Sequence, residues 1–81
     1  MYLLFVVQDE GTYARNFLTP EDAKSSFEEA IKLSFLGPIA VALYDLDKDS
    51  YFDLGDYGFE GDPIASLYNG KLRLGESFFY L

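Results

Sequence analysis

The chain has 81 residues, of which 49% are hydrophobic, and its 14 acidic and 6 basic residues give a net charge of −8. This length suits one domain with a single core, so residues 1–81 are interpreted as one unit. The negative charge argues against direct binding to nucleic acid or to an anionic membrane, because both require Lys and Arg near phosphate groups. With no His and no Cys in the sequence, the usual general base, a cysteine nucleophile and thiolate metal sites are excluded. We therefore expect a protein that is not an enzyme, holds no cofactor and resides in the cytoplasm.

The N-terminal segment predicts a β-hairpin. Tyr2–Gln8 is almost continuously apolar, as expected for a strand in the middle of a sheet, and it is too short to span a membrane. Asp9, Glu10 and Gly11 have the composition of a turn. Residues 12–17 then alternate well enough to form the returning strand, with Tyr13, Arg15 and Phe17 on one face.

Residues 19–38 predict a helix. Thr19 is suited to cap its N-terminus, Pro20 to occupy the first helical position, and the acidic residues that follow to interact with the helix dipole. The apolar residues recur at helical spacing and predict the buried face, which consists of Ala23, Phe27, Ala30, Ile31 and Ser34. Gly37 and Pro38 are expected to end the helix.

The next segment predicts a central strand followed by a second hairpin. In residues 39–44 we expect Ala40 and Ala42 to face the helix, because their small side chains allow close approach. Residues 51–54 alternate in polarity and are interpreted as the strand that returns beside residues 39–44. The glycines within residues 55–63 predict a loop or a bulged edge.

The C-terminal region predicts a third hairpin. Asn69 and Gly70 favour a two-residue turn with positive φ between residues 64–68 and Lys71–Leu74. Residues 78–81 are too apolar to be left exposed, so we expect them to dock as a short strand or against the helix. The fold class is therefore α+β, with an antiparallel sheet of about five to six strands, built from hairpins, and one helix packed on a face.

Half of the acidic residues lie in a short segment that also contains aromatic residues. The acids are Asp45, Asp47, Asp49, Asp53, Asp56, Glu60 and Asp62. Disordered acidic segments lack aromatic residues, so this composition indicates a folded negative surface and a basic partner. Carboxylates two residues apart on a strand are about 7 Å apart, comparable to successive nucleic-acid phosphates. Tyr51, Tyr57 and Phe59 are candidate anchors at such an interface.

Part of the same segment resembles the calcium loop of an EF-hand. The oxygen-bearing residues at loop positions 1, 3, 5, 9 and 12 are Asp45, Asp47, Asp49, Asp53 and Asp56. Ser50 stands where the sharp turn of that loop requires glycine, and the flanking segments predict strands rather than helices. We therefore keep these residues as a weak metal candidate and expect no dedicated metal site.

In size, charge, lack of cysteine and clustered acids, the whole chain resembles the small acidic anti-defence proteins of bacteriophages, which include anti-CRISPR proteins and DNA mimics. The resemblance implies a stoichiometric phage inhibitor, acting in the host cytoplasm, whose acidic surface binds a basic nucleic-acid-binding surface of a bacterial defence complex. It implies a protein partner rather than nucleic acid or membrane, and a monomer or small homo-oligomer. Two alternatives stay open, a calcium-binding module and a small structural or assembly protein.

Overall fold

The computed structural model describes residues 1–33, 39–48, 53–55 and 58–81. Its strands are β1 (Tyr2–Gln8), β2 (Gly11–Phe17), β3 (Ile39–Asp45), β4 (Asp53–Gly55), β5 (Gly58–Glu60), β6 (Ala65–Tyr68) and β7 (Lys71–Leu74). One α-helix, α1, spans Pro20–Leu33, and a short 3₁₀ helix spans Glu76–Tyr80. Within these residues, no helix combines the length and apolar character that crossing a membrane requires.

The main sheet has five antiparallel strands in the order β2-β1-β3-β6-β7. This confirms the expected α+β class with hairpin-built antiparallel strands and one helix. The Asn69-Gly70 turn is also confirmed, since φ is +53° at Asn69 and +75° at Gly70. Both residues therefore adopt the left-handed conformation that matches a two-residue turn to the twist of its strands.

Helix α1 covers one face of the sheet, which we call the helix face. The Thr19 hydroxyl accepts a hydrogen bond from the Asp22 backbone N–H at 3.3 Å, as a capping residue should. Ala23, Phe27 and Ala30 are buried in the core, as the helical spacing predicts. The helix is described to Leu33, so Ser34, Gly37 and Pro38 lie outside the described residues.

The opposite face of the sheet is covered by the β4–β5 hairpin, and we call it the hairpin face. Phe59 of β5 packs there against the cluster of Leu3, Ala42 and Tyr44, and its ring meets that of Phe5 edge-on, with centroids 6.0 Å apart. The Tyr44 hydroxyl donates a hydrogen bond to the Glu60 carbonyl at 2.5 Å. These contacts hold the hairpin to the two central strands.

Two expectations about this region were wrong. The strand that pairs with β4 is β5, not β3, because β3 is bonded on its two sides by β1 and β6. Part of the segment expected to be a loop or bulged edge therefore forms strand β5. In addition, Ala42 faces the hairpin while Val41 and Leu43 face the helix. The small residues that admit α1 are its own Ala23 and Ala30, whereas Ala42 leaves space for the aromatic residues of the hairpin face.

The C-terminal 3₁₀ helix closes the core, as expected for an apolar tail that docks against the helix. The Phe78 ring lies 5.5 Å from that of Phe27, with an angle of 66° between the ring planes. Lys24 of α1 places its ammonium 5.2 Å from the centre of the Phe78 ring. Phe78 is 5% exposed, and the neighbouring Phe79 is 63% exposed.

This neighbouring pair gives a matched test of the core. Phe78→Ala should lower the free energy of unfolding by about 3–5 kcal/mol, because it removes a buried ring and leaves a cavity. Phe79→Ala should cost less than about 1 kcal/mol. Urea denaturation followed by circular dichroism measures both changes. If Phe78→Ala does not fold, Phe78→Leu provides a milder comparison with Phe79→Leu, and equal losses at both positions would contradict the described packing.

Candidate functional site

The candidate site lies at the end of the main sheet where β1 begins and β3 ends. Tyr2 of β1 is opposite Asp45 of β3 and opposite Phe17 of β2. The same end receives the start of α1, because the helix begins three residues after Phe17. It also receives the start of β6, since the Ile64 N–H bonds to the Leu43 carbonyl.

This topology gathers acidic residues from separate parts of the chain. The residues, which we call the acidic end, are Glu21, Asp22, Asp45, Asp47, Glu60, Asp62 and Glu76. Asp45 is partly buried and the others are exposed. Exposed carboxylates from several elements, collected at one end of a sheet, create a negative potential that extends into solvent.

Asp45 and Asp47 are held together by a tight turn after β3. Asp45 Oδ1 accepts a hydrogen bond from the Asp47 N–H at 3.0 Å. Asp47 Oδ2 lies 3.1 Å from the Met1 ammonium, and the side chain of Asp47 is 81% exposed. Because Asp47 is in the turn, this pair does not have the spacing of two residues along one strand.

The pKa of the Tyr2 hydroxyl depends on the charge at this end. Burial raises the pKa of the Tyr2 hydroxyl above its ordinary value of 10.0, and the negative charges of Asp45, Asp47 and Glu21 raise it further. A phenol resists ionisation near carboxylates because a second negative charge would be repelled. Acids from β3, the following turn and α1 therefore act on one group.

Glu60 is positioned by the core rather than by the turn. Its backbone carbonyl accepts the hydrogen bond from buried Tyr44, while its side chain is exposed. Asp53 lies opposite Glu60 in the β4–β5 pair. The sequence-predicted acids Asp45, Asp47, Glu60 and Asp62 therefore lie on segments that reach the same end of the sheet, and the backbone of Asp53 is placed beside Glu60.

Several predicted residues cannot be assigned to this surface. Asp49, Tyr51, Asp56 and Tyr57 lie outside the described residues. Phe59 is partly buried, and besides Phe5 it meets the ring of Tyr68 edge-on at 6.2 Å. Its ring thus contributes to packing within the chain, which limits how much of it a partner could contact.

Glu21, Asp22 and Glu76 belong to the acidic end although they are remote in sequence from the acidic segment. The sequence does contain a signal for Glu21 and Asp22, because acidic residues in the first turn of a helix are typical of its N-terminus. Locating that N-terminus requires the strand order, which places the end of β2 beside the start of β1. Glu76 follows β7 and has no local signal of this kind.

The described residues contain no group of three or more acidic side chains arranged to hold a metal ion. Of the calcium-loop candidates, Asp45 and Asp47 make the turn and N-terminal contacts given above. Asp49 and Asp56 lie outside the described residues, and Asp53 lies in the paired strand β4.

No protein-family model, no curated protein and no solved structure matches this chain. Any functional inference therefore depends on the geometry and charge of the chain itself.

The grouping of acids around Tyr2 can be tested by titration. Asp45→Asn and Asp47→Asn should each lower the pKa of Tyr2, because each removes a negative charge that opposes ionisation. The pKa should remain above the ordinary value, because burial still raises it. NMR of tyrosines labelled at Cζ measures this, with Tyr2→Phe to assign the resonance. Asp9→Asn, at the opposite end, should leave the pKa unchanged, and an equal effect there would contradict the grouping.

The same shift has a consequence for stability. The folded state holds the Tyr2 proton more tightly than the unfolded state does. The contribution of this proton to the free energy of unfolding is therefore complete below the ordinary pKa of tyrosine. It is lost as the pH rises through the raised pKa of the folded state. Tyr2→Phe should therefore show a smaller decrease in unfolding free energy above pH 10 than the parent protein.

Proposed function

We propose that this protein is a non-enzymatic inhibitor that binds, through its acidic end, a basic nucleic-acid-binding surface of another protein. The observation that supports this most is the convergence of Asp45, Asp47 and Glu21 around Tyr2. Acids from separate elements at one end of the sheet form a fixed negative surface. A groove that binds nucleic acid carries the complementary Lys and Arg residues.

The resemblance to small acidic anti-defence proteins adds the class of target. On that basis the partner is a bacterial defence complex, such as a CRISPR effector, and the protein acts stoichiometrically in the host cytoplasm. Inhibition of this kind requires neither turnover nor a cofactor. Occupation of the groove is sufficient to exclude nucleic acid.

Electrostatics predict how such a complex would form. Opposite charges on the two surfaces steer diffusional encounter, so association should be fast at low salt and slower as salt screens the charges. Affinity also requires desolvated contacts near the centre of the interface. The partly buried Tyr2 lies among the acids and is a candidate for such a contact.

Charge reversal at two ends of the molecule tests the proposal. The triple variant Glu21→Lys, Asp47→Lys and Glu60→Lys should weaken partner binding by at least about tenfold, because it removes the complementary charge. The control triple Asp9→Lys, Glu10→Lys and Glu29→Lys changes the net charge equally at other exposed positions. It should retain most of the affinity.

The partner for this measurement is first captured from bacterial lysate, identified by mass spectrometry and purified. Its complexes with the parent and both triple variants are then measured at several salt concentrations, with and without duplex DNA. Competition by DNA and selective loss in the acidic-end variant support the proposal. Equal binding by the two variants, or indifference to DNA, would contradict it.

A second candidate function, self-assembly, is favoured by exposed apolar residues near the C-terminus. Phe79 is 63% exposed and Tyr80 is 81% exposed, and exposed aromatic residues are typical of contact surfaces between chains. If they join copies of the chain, light scattering should show a mass that rises with concentration. Phe79→Ser with Tyr80→Ser should then restore a monomer, whereas Leu18→Ser, at another exposed apolar position, should not.

A further inference from the structure

The hairpin face contains a pocket that shares Asp62 with the acidic end but is also lined by basic and aromatic residues. It has a volume of about 550 Å³ and lies between β5 and the β6–β7 hairpin. Volumes of this size are typical of sites for small organic ligands. Phe59 and Tyr68 contribute aromatic wall, and Ser66 and Asn69 contribute polar groups.

Two of the six basic residues of the chain line this pocket. Lys71 and Arg73 are two residues apart on β7, so both side chains lie on the hairpin face, opposite Tyr68 and Ser66 respectively. Among the described lining residues, Asp62 is the acidic one. These described residues therefore carry an excess of positive charge in a strongly negative protein.

Within the part of the chain that the structure describes, the salt bridge joins Met1 and Asp47 and involves neither cation. The side chains of Lys71 and Arg73 are exposed. A guanidinium presents a planar set of N–H groups and an ammonium presents three, and both bind phosphate oxygens well. The Ser66 hydroxyl adds a third donor on the same face.

The aromatic wall restricts the ligand further. The Phe59 and Tyr68 rings are edge-on at 6.2 Å, which fixes their relative orientation. Gly58 lies against Tyr68, since a Cβ at this position would be 3.6 Å from the ring, and its φ of +136° favours glycine. A planar group could pack against this wall while its anion met Lys71 and Arg73. Inorganic phosphate alone would leave the wall and most of the volume unused.

We propose that this pocket binds a small organic phosphate whose phosphate is joined to a planar ring directly or through a sugar, a ligand that we call a ring phosphate. The net charge of −8 opposes a polyanion such as nucleic acid, whereas a ligand with one phosphate experiences mainly the local cations. Cations on an edge strand also discourage pairing with another chain. Preventing strand pairing requires only the charges of Lys71 and Arg73, and it does not require their N–H groups to line a pocket.

Binding can be measured by titrating the full chain with small ligands. Calorimetry gives the affinity, and NMR of the backbone amides of β6 and β7 locates the site. The probes are adenosine monophosphate, uridine monophosphate and phenyl phosphate, with adenosine and inorganic phosphate as matched ligands that lack one half of the chemistry. At least one ring phosphate should bind, and should bind at least about tenfold more tightly than either matched ligand.

Single charge removals locate the site. Arg73→Gln and Lys71→Gln should each weaken the ring phosphate at least about tenfold, because each removes a charge-assisted hydrogen bond. Lys32→Gln makes the same change in net charge on an exposed helical position and should have little effect. Circular dichroism checks that each variant is folded, and Arg73→Lys provides a charge-conserving second variant with intermediate affinity.

Absence of binding by all three ring phosphates at millimolar concentration would overturn the proposal. Equal weakening by Lys32→Gln would also overturn it, because the effect would then reflect net charge. These variants and probes differ from those that test the acidic end, because Glu21, Asp47 and Glu60 do not line the pocket.

Discussion

The burial of β3 on both faces is the constraint on which the rest of the structure depends. Val41, Ala42, Leu43 and Tyr44 are all 0% exposed, and a strand with no solvated face needs a cover on each side. Helix α1 provides one cover and the β4–β5 hairpin provides the other. Within the sheet, β1 and β6 bond to the two edges of β3, so β3 is enclosed on its edges as well as on its faces.

The fold was predictable wherever the determining interactions are local. Thr19 and Pro20 specify the start of α1, and Asn69-Gly70 specifies a turn, since both depend on backbone geometry within a few residues. The β4–β5 hairpin was not predictable in this way. Its glycines indicate a loop, and its strand character depends on packing against Phe5 and Tyr44, which are distant in sequence. The side of the sheet that Ala42 faces depends on the same nonlocal packing.

The candidate site was predictable to a similar extent. The acidic segment identified Asp45, Asp47, Glu60 and Asp62, because their clustering is visible in the sequence. Glu21 joins them through the antiparallel register of β2 with β1, which returns the chain to the start of β1 before α1 begins. Register is fixed by which residues are buried on each face, and no local pattern around Glu21 reports it.

Tyr44 links the core to the acidic end. Its ring is fully buried beside Leu3 and Ala42, while its hydroxyl bonds to the backbone of Glu60. The backbone that carries this exposed carboxylate is thus fixed by the packing of the hairpin face. Under the proposed function, this ordering would reduce the entropy lost on binding a partner, while it maintains repulsion among neighbouring acids in the free protein. A disordered acidic tail differs in both respects. It reduces the repulsion among its acids by expanding, but it loses more conformational entropy when it binds. The packing of Tyr44 and Phe59 therefore gives the backbone at Glu60 a defined position at the acidic end.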